Sequence, residues 1–194
     1  MKKVFKFLCI IVIIAALLFL ARPLLQKAVT LIEKELYPFP EEYRNSVLDY
    51  SRTYNLPPEI VCAVINTESS FEPKARSSAG AMGIMQITED TFEWLQSKLG
   101  EEHPAELLYD YNINMKYGCF FLRLLYNEFQ DWDTVFAAYN AGRSRVNGWL
   151  DDARYSEDGK LKNIPIDETS KYIKKVNKAA EIYKKHYFAP QTTE

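Results

Sequence analysis

Histidine and cysteine are scarce in this 194-residue chain, and neither falls in a metal-binding pattern. His103 and His186 are its two histidines, far apart and without an i, i+4 partner, so their spacing argues against zinc. The three cysteines, Cys9, Cys62 and Cys119, form no C-x-x-C pair. Cys9 lies in an apolar tract, and Cys62 and Cys119 sit among apolar neighbours, which predicts two buried free thiols unless the fold brings their Cα atoms within about 7 Å. No metal and no cofactor is expected. Charge of one sign is missing too: 24 Lys and Arg stand among 26 Asp and Glu, for a net charge of −2. Without a basic field, nucleic acid is not an expected partner. There is no internal repeat, no low-complexity tract and no period-two strand of convincing length, so the expected fold class is all-α. Hydrophobic residues at 47% suffice for the core of one ordinary domain plus an appendage.

One long apolar run breaks these absences. Lys2, Lys3 and Lys6 precede an uninterrupted apolar tract over residues 7–21. A spanning helix needs about 17–25 apolar residues, and Leu24 and Leu25, beyond Arg22 and Pro23, extend the tract toward that length. No A-x-A-like cleavage site follows, which favours an uncleaved anchor over a secretory signal. Residues 1–25 are therefore expected to be an N-terminal membrane anchor or signal-like segment, with the lysines inside and the remaining chain on the extracytoplasmic side. The alternative is secretion after cleavage. Val29, Ile32 and Leu36 at helical spacing predict a stalk helix, and Pro38 and Pro40 a linker, so residues 26–40 connect the anchor to a domain. Residues 189–194 carry no core pattern and read as a loose tail.

Within residues 41–188, the stretch 60–86 places one carboxylate where an apolar face belongs. Val61, Val64, Ile65 and Phe71 mark a stripe of helical period, and Glu68 falls inside it. Pro73 limits the helix, which sets Glu68 near its C-terminal end. A carboxylate drawn out of water, at the negative end of a helix dipole, holds its proton to higher pH, as a general acid must. A lone glutamate on such a stripe is otherwise an edge residue or the partner of a Lys or Arg. Gly80, Gly83 and their small neighbours predict a tight loop folded back beside it.

Helices are also predicted over residues 41–54 and 89–99, the latter capped by Thr88 and stopped by Gly100. Another covers residues 112–129, with Ile113, Tyr117, Phe120, Phe121, Leu124, Leu125 and Phe129 as its core stripe. Asp133 is the expected cap of a short helix ending in Phe136-Ala137-Ala138-Tyr139-Asn140-Ala141-Gly142. Residues 151–162 read as an exposed loop turning at Asp158-Gly159, before a last helix over residues 170–187.

At these residues the chain resembles a known family. Glu68-Ser69-Ser70-Phe71, Pro73, Ser77, Gly80-Ala81, Gly83 and Ile84-Met85-Gln86 are similar to the ES-x-F/W-x-P-x-A-x-S-x-x-G-A-x-G-L-M-Q signature of the soluble lytic transglycosylases, lysozyme-like enzymes that cut peptidoglycan. The AAYNAG run resembles the family's second signature. Ile164-Pro165 with Glu168-Thr169 and Tyr172-Ile173 resembles its final one, although Ser170 stands where the family often has arginine. The resemblance implies a lysozyme-like helical domain with Glu68 as catalytic acid. It implies substrate contacts from Ser69, Ser77, Met85, Gln86, Tyr139, Asn140, Glu168 and Tyr172, with Phe71 and Met85 keeping the acid dry. Glycan strands of peptidoglycan are the implied partner, cut between N-acetylmuramic acid and N-acetylglucosamine with a 1,6-anhydromuramoyl product. The alternatives are a goose-type lysozyme-like hydrolase of the same bond and an inactive peptidoglycan-binding module.

Overall fold

The computed structural model describes the backbone of residues 2–189 and the side chains from residue 17 onward. The sequence expectations for Cys9 and for residues 190–194 lie outside the described residues. Two compact units result, Met1–Pro38 and Phe39–Glu194.

The first unit is a single helix, α1 (Lys2–Leu36), which runs through Pro23 without a break. The apolar run and the expected stalk are thus one helix. Leu17, Leu18, Phe19, Leu20, Leu24 and Leu25 are each between 59% and 75% exposed. Among the described residues, no helix is long and apolar enough to cross a membrane.

The second unit is mostly helical. Its elements are α2 (Glu41–Thr53), α3 (Pro58–Ser69), α4 (Glu89–Leu99), a 3-10 turn (Ala105–Tyr109), α5 (Tyr111–Phe129), α6 (Trp132–Ala141), α7 (Arg143–Leu150) and α8 (Asp167–Tyr183), followed by a wide turn over Lys184–Phe188. At the centre lies α3. Ile60 to Ile65 are six consecutive buried residues, so this helix is apolar on all sides rather than along one stripe, and it is enclosed by α2 and α8. Its N-terminus is set by the Pro57-Pro58 pair, with Pro58 in the first turn, where its missing N–H leaves no bond unmade. Its C-terminus arrives three residues earlier than Pro73 would require. Ser70 and Phe71 both take left-handed backbone, φ 53° and 66°, and the Phe71 ring leaves the helix. Left-handed backbone costs an ordinary side chain about 1–2 kcal/mol. The offset is packing, because Phe71 is buried among Phe39, Tyr43 and Tyr183.

α5 corrects the predicted stripe. Its fully buried residues are Asn114, Met115, Tyr117, Gly118, Cys119, Leu122 and Leu125, of which Tyr117 and Leu125 belong to the expected stripe, while Ile113, Phe120, Phe121 and Leu124 are only partly buried. Those four pack on a second apolar cluster of Met82, Ile87, Phe92, Leu95 and Leu108, which Tyr117 also joins. The helix is sandwiched, so its apolar residues exceed one stripe and the more aromatic side misleads. Cys62 and Cys119 are buried free thiols. The cap of α6 is Asp131, whose carboxylate accepts from the Thr134 amide, while Asp133 accepts from Asn177 of α8.

Residues 156–161, expected as loop, form a small antiparallel hairpin, β1 (Ser156–Glu157) with β2 (Lys160–Leu161). Asp158 and Gly159 at φ 51° and 74° make the tight two-residue turn that suits a hairpin's twist. α8 begins three residues before the expected start, which brings Glu168 into its first turn.

Candidate active site

The last turn of α3 carries Glu68 from the core toward Tyr172 of α8 and Tyr139 of α6. There its side chain is crowded by protein atoms yet still touched by solvent. Burial pushes its carboxyl up to about 7, against the pull of a hydrogen bond from Tyr172. The Tyr172 hydroxyl donates to Glu68 Oε1 at 2.6 Å, which leaves Oε2 as the oxygen available to hold a proton. Burial, then the nearby Glu68 charge, keeps the phenols of Tyr172 and Tyr139 well above their ordinary range, so both remain donors at any working pH.

The loop between α3 and α4 forms one wall, and polar groups fasten it from three sides. Ser69 Oγ donates to the Ile84 carbonyl at 2.7 Å and ties the end of α3 to the loop. Tyr139 of α6 donates to the Met85 carbonyl at 2.8 Å. Asn114 of α5, fully buried, makes three bonds: it accepts from Met85 N at 2.7 Å and donates to the carbonyls of Met82 and Leu108 at 2.9 and 2.8 Å. Gly83 sits at this clamp with φ 77°, and a Cβ there would lie 2.1 Å from the Leu108 carbonyl oxygen and 2.2 Å from Asn114 Nδ2. Only glycine fits.

The expected site residues therefore separate into groups. Tyr172 touches the acid, and Tyr139 lies close enough for the Glu68 charge to raise its phenol. Asn140 accepts from Thr169 at 2.8 Å, and with Glu168, Tyr172 and Thr67 it lines a small groove of about 180 Å³. Glu168 is exposed there. Met85 is fully buried against Gly118 and serves the cleft through its backbone. Ser69, Ser77 and Gln86 use their polar groups within the loop: Ser77 Oγ accepts from Ala81 N, and Gln86 Nε2 donates to the Gly83 and Ala75 carbonyls. Phe71 belongs to the aromatic cluster beneath α3 rather than to the lining of the acid. Sequence reasoning passed over Asn114 and Thr169, and also Trp94, Phe121 and Arg145, which line a groove of about 500 Å³ with Tyr139. The signal for Asn114 was an amide within a helix rich in apolar residues.

Fold and site together define a class: a helical domain whose buried central helix delivers one proton-holding carboxylic acid, bonded to a tyrosine, into a cleft walled by a clamped loop. The chain belongs to the Transglycosylase SLT domain family, whose profile matches residues 45–162. It is 32% identical over 162 residues to the soluble lytic murein transglycosylase of Escherichia coli (strain K12), covering 80% of this chain and 25% of that protein. To membrane-bound lytic murein transglycosylase C of Glaesserella parasuis it is 25% identical over 166 residues, covering 73% of this chain and 46% of that one. Among solved structures it resembles an inactive glutamate-to-glutamine mutant of lytic transglycosylase Slt from Pseudomonas aeruginosa, with a TM-score of 0.70 and 30% identity over 80% of this chain and 25% of that one. The chain thus spans about a quarter of the length of the soluble relatives.

Proposed function

We propose that this protein is a peptidoglycan lytic transglycosylase, cleaving the β-1,4 bond between N-acetylmuramic acid and N-acetylglucosamine. The observation that carries the reading is Glu68, a carboxylic acid that burial holds near neutrality and that Tyr172 bonds at 2.6 Å. A glycosidase that uses a water or an enzyme nucleophile pairs two carboxylates at about 5–5.5 Å or 6.5–9.5 Å. One acid suffices when the substrate brings its own nucleophile. Glu68 protonates the bridging oxygen, the bond from that oxygen to the muramoyl C1 breaks, and N-acetylglucosamine leaves with a free C4 hydroxyl. The carboxylate then takes the proton of the muramoyl C6 hydroxyl, whose oxygen bonds to C1. The 1,6-anhydro product forms, no water is consumed, and Glu68 is protonated again.

Two grooves support this reading. One shares Tyr139 with the surroundings of the acid and the other shares Tyr172, so the branched strand has somewhere to lie on both sides of the acid. Trp94, Phe121 and Tyr139 offer apolar ring faces in the larger groove. Tyr172 holds Glu68 in place, and the clamp on the Met82–Met85 backbone keeps the cleft wall fixed. Glu168, exposed in the smaller groove, stabilises positive charge on the sugar. Mass analysis of the products of purified sacculi tests the chemistry: the transglycosylase releases muropeptides lighter by one water than those a hydrolase leaves.

We further infer that α1 anchors the chain in a membrane with the catalytic unit on the extracytoplasmic side. Support comes from the lysines before the apolar run, from the exposed leucines of α1, and from a relative named as membrane-bound.

A further inference from the structure

α8 segregates its charge. Two of its three acids, Asp167 and Glu168, lie in the first turn, where the helix dipole favours them, and the third, Glu181, lies in the last turn. From residue 169 to 180 it carries Lys171, Lys174, Lys175 and Lys178 and no Asp or Glu, in a chain whose net charge is −2. All four lysines are exposed. Their spacings of three and four residues set like charges side by side, which weakens a helix. Lys171 is paired with Asp167 at 2.6 Å, while Lys174, Lys175 and Lys178 make no ion pair among the described residues.

The row starts at the site. Lys171 and Lys175 line the smaller groove beside Tyr172 and Asn140, and Tyr172 is the residue that bonds Glu68. Lys178 continues the same face three residues on. At a rise of 1.5 Å per residue, Lys171 to Lys178 covers about 10 Å, the span of roughly three extended residues. The groove of about 180 Å³ is smaller than the roughly 300–1,000 Å³ of ordinary ligand pockets, whereas its neighbour of about 500 Å³ falls within that range. The larger suits sugar rings and the smaller suits a branch. Glu168 is the acidic member of the smaller groove.

Resting on the proposed function, we infer that Lys175 and Lys178, with Lys171 at the groove, bind carboxylates of the peptide that branches from the glycan strand. The chain then discriminates strands bearing free peptide carboxylates from strands without them. An anionic membrane surface also attracts lysines, but it gives no reason for the row to begin in a groove that shares Tyr172 with the acid.

The test compares the full chain with its Lys175→Gln/Lys178→Gln variant on three substrates: peptide-bearing glycan, the same glycan stripped by an amidase, and glycan whose peptide carboxylates are converted to amides. The variant is expected to lose about tenfold in kcat/KM on the peptide-bearing glycan, with a shallower salt dependence, and to stay within about twofold of wild type on the other two. Equal losses on all three substrates, or no loss on any, overturn the inference. So does a variant that loses only co-sedimentation with vesicles of phosphatidylglycerol and phosphatidylcholine. If wild type cleaves none of the glycans, the proposed function fails separately. The lysines are then judged by co-sedimentation of the Glu68→Gln protein, which must still favour peptide-bearing over stripped glycan.

Discussion

Glu68 pairs usefulness with cost. A general acid acts only while it holds its proton, so with a carboxyl titrating at about 7, kcat/KM on glycan is expected to fall as pH rises through that value. Tyr172 pulls this pKa down by bonding the carboxylate, and Tyr172→Phe is expected to move the alkaline limb to higher pH while lowering the maximum rate. A pH–rate profile in which the limb stays in place would show that Tyr172 does not tune the acid. The same residue shapes stability. Between about 4.5 and 7 the folded chain keeps a proton that the unfolded chain releases, so stability declines as pH rises through that window and levels off above it. The loss is about 2–4 kcal/mol. Glu68→Gln removes it, and the amide oxygen can still accept from Tyr172. That variant is expected to drop activity by about 10²–10⁴-fold and yet melt at a higher temperature than wild type at pH 8, with the advantage absent at pH 4. A melting series across pH checks this, and a variant no more stable at pH 8 than wild type would mean that burial does not raise the carboxyl.

The loop between α3 and α4 is held less by its own glycines than by one side chain from a distant helix. Asn114→Leu keeps the volume of the amide but leaves the Met85 N–H and the Met82 and Leu108 carbonyls without their partner, each in buried surroundings. Unpaired buried groups cost about 1–3 kcal/mol apiece, so a destabilisation of about 3–5 kcal/mol is expected by denaturant titration, with activity lost more than stability alone explains. Gly83→Ala is expected to fail comparably, because its Cβ would collide with Leu108 backbone and with the same asparagine. How far such elements could be read from the sequence depended on whether the cause was local. Thr88 as cap and Gly100 as stop follow from neighbouring residues, and both stand as expected. The end of α3 does not: Pro73 pointed to the right region, but the aromatic cluster around Phe71 draws the chain out of the helix three residues sooner. Asp131 outcompetes Asp133 as cap for the same kind of reason, since Asn177 of α8 engages the latter. The hairpin was missed because two residues per strand are too few to show alternation.

Taken whole, the chain joins a helical domain, proposed as the catalytic unit, to a helix with a run of exposed leucines. Helical periodicity made the all-helical frame legible, and one carboxylate inside an apolar pattern made the acid legible. The bond from Tyr172 was not, because its two partners are 104 residues apart and only the packing of α8 on α3 brings them together. The N-terminal helix poses the opposite problem, since its composition speaks more plainly than its geometry. Residues 7–25 span about 28 Å at 1.5 Å per residue, near the roughly 30 Å of a hydrocarbon core, provided Arg22 extends its head group to the interface. Leaving Leu17 to Leu20 and Leu24 to Leu25 in water forgoes about 1.5–3 kcal/mol for each large side chain that lipid would cover. The full chain is therefore expected to sediment with membranes and to resist extraction by high salt and by carbonate, yielding only to detergent. Deleting residues 2–25 is expected to free an active catalytic unit into the soluble fraction. Recovery of the full chain in the high-salt supernatant would reduce α1 to a surface contact, and a truncated protein that stayed with membranes would place the attachment in the catalytic unit instead.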